Sequence, residues 1–327
     1  MTNFQVYKKT LPFSFILFGL GLVSVAVMVG CCVAGYFIAG GSATRALIGL
    51  AIGFVVGIIF AIAFNYLVLN RIKAAQIAMM TKGVADDKLP DDHIVQAGFA
   101  EVKGRFAKIT AFFFVTGVIK SMFRQIGRLT TRVGSMVGGQ AGESVASVID
   151  SAVQTLLGYL IDCCLGWVMY RKDVGVTKAA CEGAVIFFKS GKTLFRNIGR
   201  IFGMGAVSLL VVGGALFGGF YAVTYFAFPN LFIQLSDVIK EAAASSGGTV
   251  SEFITNPNTL GIFACALAAV IIWSMIHGVV GRPFILVGVL RNFVAVGKQQ
   301  TPSEADFKEL EKRSPKIAKL RQKLDAR

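Results

Sequence analysis

Four stretches of the chain, 11–39, 46–69, 201–228 and 260–280, contain no charged residue. About 20 predominantly apolar residues suffice to cross the hydrocarbon core of a bilayer as a helix, so each stretch predicts a membrane span. The first two are joined by Gly40-Gly41-Ser42-Ala43-Thr44-Arg45, which predicts a tight helical hairpin. The third closes at Pro229-Asn230; the fourth leaves the membrane at Gly281-Arg282-Pro283, with a short apolar tail behind it over 284–290. Lys8 and Lys9 precede the first run as in a secretory signal. Signal cores are only about 7–15 residues long, so this run predicts a retained anchor.

Between the two pairs of spans, polar positions return. Arg71 to Gly83 predicts a helix continuing out of the membrane; Asp86, Asp87, Pro90, Asp91 and Asp92 form an acidic turn, and a second helix begins near Ile94. Two decapeptides in this segment resemble each other, Lys120-Ser-Met-Phe-Arg-Gln-Ile-Gly-Arg-Leu129 and Lys192-Thr-Leu-Phe-Arg-Asn-Ile-Gly-Arg-Ile201. Their cations recur every fourth residue, as Lys120, Arg124, Arg128 and Arg132 in one copy and Lys192, Arg196 and Arg200 in the other. On a helix that spacing makes one basic stripe, with Phe123 and Ile126, or Phe195 and Ile198, to its side. A basic stripe flanked by apolar side chains suits a helix lying among lipid headgroups, where each cation near an anionic leaflet contributes about 1 kcal/mol. The segment 144–170 is apolar except for Asp150 and Asp162. Two acids are costly inside lipid, which favours a surface helix with both on its polar face over a six-span alternative.

The expected fold class is therefore all-α, a polytopic membrane protein with four transmembrane helices (six as the alternative) plus cytoplasmic-side amphipathic helices. Along the chain this divides into a stub and hairpin over 1–69, an amphipathic segment over 70–200, a second pair with outer loop 229–259 over 201–290, and a charged tail over 291–327. In the tail, Pro302-Ser303-Glu304 predicts a helix start.

Composition agrees. Of 327 residues 55% are apolar and 16% charged, with mean hydropathy +0.68. Soluble domains carry about 25% charged residues, so a soluble enzyme is excluded, and disorder needs low hydrophobicity. The net charge is +15, yet the outer segments of a four-span plan hold only Arg45 and Lys240 of 33 basic residues. The remaining 31 lie on the other side, which orients both termini to the cytoplasm of a cytoplasmic (plasma) membrane. That bias accounts for the charge without nucleic acid, for which no module is present. Six cysteines, Cys31, Cys32, Cys163, Cys164, Cys181 and Cys265, form no CxxC or zinc pattern and read as small apolar fillers.

Chemistry is sparse. Lys189-Ser-Gly-Lys-Thr193 ends like a phosphate-binding loop, but position 186 is Ile where that motif needs Gly. His93 beside Asp91 and Asp92 makes a poor metal site on one turn. His277, with Trp273 nearby in the fourth span, is a candidate pathway or polar contact, as are Asp150 and Asp162. Ser274 lies one turn from His277, but no carboxylate in that span would complete a triad. Hence no catalytic residues, metal or cofactor are expected, and the chain does not read as an enzyme. Gly49, Gly53 and Gly57 recur on one face of the second span, and Gly214 and Gly218 on one face of the third. Such faces let helix backbones approach, within a chain or between subunits of a homo-oligomer.

Arg71-Ile-Lys-Ala-Ala-Gln-Ile-Ala-Met-Met80, Gly281-Arg-Pro-Phe-Ile285 and Gln300-Thr-Pro302 resemble an uncharacterised group of bacterial multi-span integral membrane proteins. The resemblance runs loosely over most of the chain and implies no activity. The last third, with His277-Gly278 in its final span, has a layout similar to the end of choline-transporter-like proteins, over less than half of the chain. Two functions follow as expectations. One is an oligomeric scaffold that binds anionic lipids of the inner leaflet through the basic helices. The alternative is a transporter or channel-like protein for a small solute such as an organic cation, using Tyr221, Tyr225 and Phe226 for cation–π contacts.

Overall fold

The computed structural model describes residues 1–40, 43–103, 154–195, 198–245, 251, 255–300 and 302–313. Helix accounts for 90% of the structure, without strands among the described residues. Four described helices are long and apolar enough to cross a membrane. The protein is an all-α polytopic membrane protein.

The expected hairpin is α1 (Asn3–Ala39) and α2 (Ala43–Phe64). A π-helical turn at Asn65–Leu69 carries α2 into α3 (Asn70–Ala85). The acidic turn follows, with left-handed backbone at Asp87 (φ 54°) and His93 (φ 53°), and α4 (Ile94–Lys103) starts where expected. Helix α5 occupies 154–170 and α6 runs Val176–Phe195. The third span is α7 (Ile198–Ser208), a π-helical turn at Leu209–Gly213, and α8 (Gly214–Ala227). After α9 (Leu231–Ser245), Asn256 caps α10 (Pro257–Ile276) by accepting from the amides of Asn258 and Thr259, with Pro257 in the first turn.

Beyond α10 the helix does not end at Gly281-Arg282-Pro283. A further π-helical turn, His277–Gly281, leads into α11 (Arg282–Gln299). A proline normally breaks a helix because it lacks an N–H and crowds the preceding turn. Here the wide turn comes just ahead of Pro283, which sits in the first turn of the new segment, where a missing N–H is tolerated. The last described helix, α12 (Glu304–Arg313), starts as the sequence predicts.

The chain forms two compact units. The first comprises Met1–Pro12, Ala74–Gly199 and Pro283–Arg327. Its core is ordinary protein interior: Ile77, Met79, Met80, Leu160, Trp167, Leu290 and Phe293 are at most 1% exposed. Full burial of one such side chain contributes about 1.5–3 kcal/mol. Helix α5 is held between α3, α6 and α11 by close approaches. A Cβ on Gly166 would stand 2.8 Å from Thr81 Oγ1, and one on Gly297 would collide with the Trp167 ring. The N-terminal stub joins this unit through Val6, which is fully buried, and through Tyr7, whose ring meets Phe284 edge-on at 5.3 Å. Lys9 pairs with Asp91, and Arg291 donates to Asn3 Oδ1 (2.6 Å). The ammonium of Met1, with Arg291 nearby, holds the Asp87 carboxyl below its ordinary range, and Lys9 does the same for Asp91.

The second unit, Phe13–Lys73 and Arg200–Arg282, is built the other way round. Its apolar side chains point outward: Ile38 is 86% exposed, Phe226 81% and Leu210 76%. A surface of this kind is stable only against hydrocarbon.

Candidate functional site

A polar cluster lies among the apolar helices of the second unit. Ser208 ends α7 and donates to the carbonyl of Gly205 (3.0 Å). Its Oγ lies 3.2 Å from His277 Nδ1 and accepts from Trp273 Nε1, also at 3.2 Å. The Trp273 and His277 rings stack at 5.3 Å and 22°. Ser208 and His277 each sit where an α-helix passes into a π-helical turn, a distortion that re-aims side chains and is frequent at functional positions. The sequence singled out Trp273 and His277 but missed Ser208, which was legible only as a hydroxyl within an apolar run. Ser274 instead bonds within its own helix, to the carbonyl of Ile271. The cluster joins two spans and orients an imidazole; it contains no carboxylate.

The two glycine faces differ in use. Gly49, Gly53 and Gly57 are filled from within the chain. A Cβ on Gly49 would collide with the carbonyl of Gly35, one on Gly53 with that of Cys31, and one on Gly57 would lie 2.9 Å from Met28. The matching face of α8 is open: no described atom lies within 4 Å of a Cβ built on Gly214 or Gly218. Ala222 continues the four-residue spacing and is also exposed, and Phe217, Tyr221 and Tyr225 stack successively along the same helix. Tyr225 (66% exposed) and Phe226 face outward.

Of the predicted headgroup cations, Lys120, Arg124, Arg128, Arg132 and Arg196 lie outside the described residues, as does Asp150. Lys192 and Arg200 fall on the backbones of α6 and α7. Lys189, the start of the loop-like motif, is likewise inside helix α6. Asp162 departs from expectation. It is not on an exposed polar face but 2% exposed within the first unit. The surface-helix expectation fails there because protein closes around α5 from Asp162 to Met169. Its neighbours Cys163 and Cys164 are buried too, and burial pushes both thiols up, leaving them neutral.

Enclosure of α5 builds a second polar site that sequence reading missed. The Trp167 indole donates to Glu182 Oε2 (3.1 Å), a carboxylate only 3% exposed, and Arg171 approaches the same oxygen at 3.3 Å. Arg171 also grips Asp173 through two nitrogens at 2.9 Å, which holds that carboxyl below its ordinary range. Beside this network opens a cavity of about 360 Å³ lined by Ala78, Thr81, Lys82 and Ala85 of α3, by Asp86 just past its end, by Glu101 of α4, and by Met169, Tyr170, Lys172 and Asp173. Residues at 78, 81, 82, 85 and 86 share one helix face, so the α3 wall is readable as a stripe. Its partner wall depends on where α5 packs, which the sequence does not encode locally. Among the described residues no three His, Cys, Asp or Glu side chains gather as a metal site.

Comparison with protein families, with curated proteins and with solved structures found no match for this chain.

Proposed function

We propose that this protein is a non-catalytic membrane scaffold that assembles with copies of itself and binds anionic lipid headgroups on its inner side. In this reading both termini are cytoplasmic, an orientation that the distribution of basic residues supports, and the membrane is the plasma membrane. The observation that carries it is the open small-residue face of α8, Gly214, Gly218 and Ala222, on a span that the chain itself barely covers. Close backbone approach on such a face is how spans associate when lipid gives no hydrophobic drive between them. The filled face of α2 supports the comparison, since there the same spacing already holds two helices together. The basic stripes at 120–132 and 192–200 supply the headgroup contacts.

Native mass spectrometry of protein extracted with its surrounding lipids tests both halves. The expected species is a homo-oligomer retaining anionic lipid. Gly218→Leu should shift the distribution towards monomer with the fold intact. Changing Lys120, Arg124, Lys192 and Arg196 together to Gln should strip the anionic lipid. A wild-type monomer carrying one small solute would overturn the scaffold reading in favour of transport.

A further inference from the structure

The cavity of the first unit is braced before any ligand arrives. On one side Lys172 pairs with Glu101, tying the turn after α5 to α4. On another, Lys298 donates to the carbonyl of Ala85 (3.0 Å) and lies over the Tyr170 ring at 5.1 Å, tying α11 to the ends of α3 and α5. Asp173 is fixed by Arg171, which is anchored in turn on buried Glu182. With Glu101 and Asp173 answered, the lining retains one cation and one anion in reserve, Lys82 and Asp86. They stand one turn apart, Lys82 in the last turn of α3 and Asp86 just past its end with its amide on the Lys82 carbonyl, and neither side chain has a partner among the described residues. Adjacent opposite charges on a helix commonly pair with each other; here both flank an opening instead. The volume of about 360 Å³ falls within the range of about 300–1,000 Å³ usual for small-molecule sites.

We infer that this cavity is a binding site for a small zwitterion, a primary ammonium joined to an oxyanion by a short linker. Lys82 receives the oxyanion, and Asp86, with the oxygens of Glu101 and Asp173 behind it, receives the ammonium. The Tyr170 ring with Met169, Ala78 and Ala85 supplies the apolar wall for what lies between. An anion alone would meet three carboxylates against two lysines, and a cation alone would leave Lys82 unanswered. The same chemistry comes from free α-amino acids or from the phosphoethanolamine headgroup of a lipid.

The full chain in detergent, titrated separately with glycine, serine, glutamine and O-phosphoethanolamine, distinguishes these sources, with ethanolamine and acetate as single-charge controls. Thermal unfolding midpoint is the readout, since a ligand binding only the folded state raises it. At least one zwitterion is expected to raise the midpoint, and neither control to match it. Preference for O-phosphoethanolamine assigns a lipid headgroup, and preference for an amino acid assigns a free solute. Lys82→Ala and Asp86→Asn are each expected to weaken binding about tenfold, the loss of one charged contact. Lys88→Ala, outside the lining, should leave binding unchanged. The inference is overturned if no zwitterion shifts the midpoint, if ethanolamine or acetate does so equally, or if Lys82→Ala binds like the wild type.

Discussion

Helices α5 and α10 are written in much the same alphabet and serve opposite ends. Each is apolar over most of its length and carries a tryptophan three residues from its last position. In α5 Leu160 is 0% and Trp167 1% exposed. In α10 Leu267 is 63% and Phe263 60% exposed. The difference lies in what surrounds them: α3, α6 and α11 close over α5, and α6 brings Glu182 to the Trp167 indole, whereas α10 faces outward on much of its surface. Apolar content therefore fixes that a helix must be buried, and says nothing of whether protein or lipid does the burying.

The two tryptophans turn this contrast into its largest test. Trp167→Ala removes a ring packed against Phe293, Tyr170 and Gly297 and leaves Glu182 without its indole donor. The expected cost is about 3–5 kcal/mol, read as a steep drop in thermal midpoint. Trp273→Ala loses chiefly an interhelical hydrogen bond to Ser208, for about 1 kcal/mol. The chain has only two tryptophans, so Trp167→Phe and Trp273→Phe each leave a single reporter. In vesicles of brominated lipid the fluorescence of Trp273 should be quenched and that of Trp167 spared. Equal quenching of both would break the comparison.

A second contrast runs along the glycines. Gly53→Ala forces a methyl into the backbone of Cys31, and overpacking of this kind costs about 1–3 kcal/mol. Gly218→Ala meets no described atom and should change stability by less than about 0.5 kcal/mol. Denaturation of both variants in the same detergent measures the pair. A Gly218→Ala loss as large as that of Gly53→Ala in the monomeric fraction would mean that the α8 face is already filled within the chain, and one confined to the oligomer that a second copy fills it.

These contrasts also mark what the sequence could and could not supply. The spans were legible because membrane burial depends on a local property, an uninterrupted apolar run. Helix α4 and the start of α12 were legible because acidic turns and caps are local as well. The continuation of helix through Pro283 was not legible, because a π-helical turn depends on packing that no neighbouring residue announces. Asp162 misled because its surroundings come from helices far away in the chain. Glycine spacing marked two small-residue faces, but only the arrangement of α1 against α2 separates the filled one from the open one. His277 was visible, and its partner Ser208 was not, since a serine in a span usually bonds its own helix.

The smallest expected effect comes from comparing a buried ion pair with an exposed one. Glu182 meets Arg171 inside the first unit, whereas Lys189 meets Asp306 at its surface, 3.0 Å apart. Asp306 does two jobs there. It accepts from the amide and hydroxyl of Ser303, closing a capping box at the start of α12, and it receives Lys189 from α6. These contacts, those of Ser303 foremost, hold its carboxyl down at about 2. A carboxylate with a folded-state pKa below its unfolded value stabilises above the unfolded value and loses that contribution as pH falls through the folded one. Amides of α12 should therefore exchange faster as pH drops from about 4 towards about 2, after correction for the intrinsic rate, while those of α5 do not. Asp306→Asn should abolish that acid-dependent opening and show modestly raised exchange in α12 at neutral pH. Unchanged protection of α12 across this window would show that Phe307, buried beneath the helix, holds it in place without help from the ion pair.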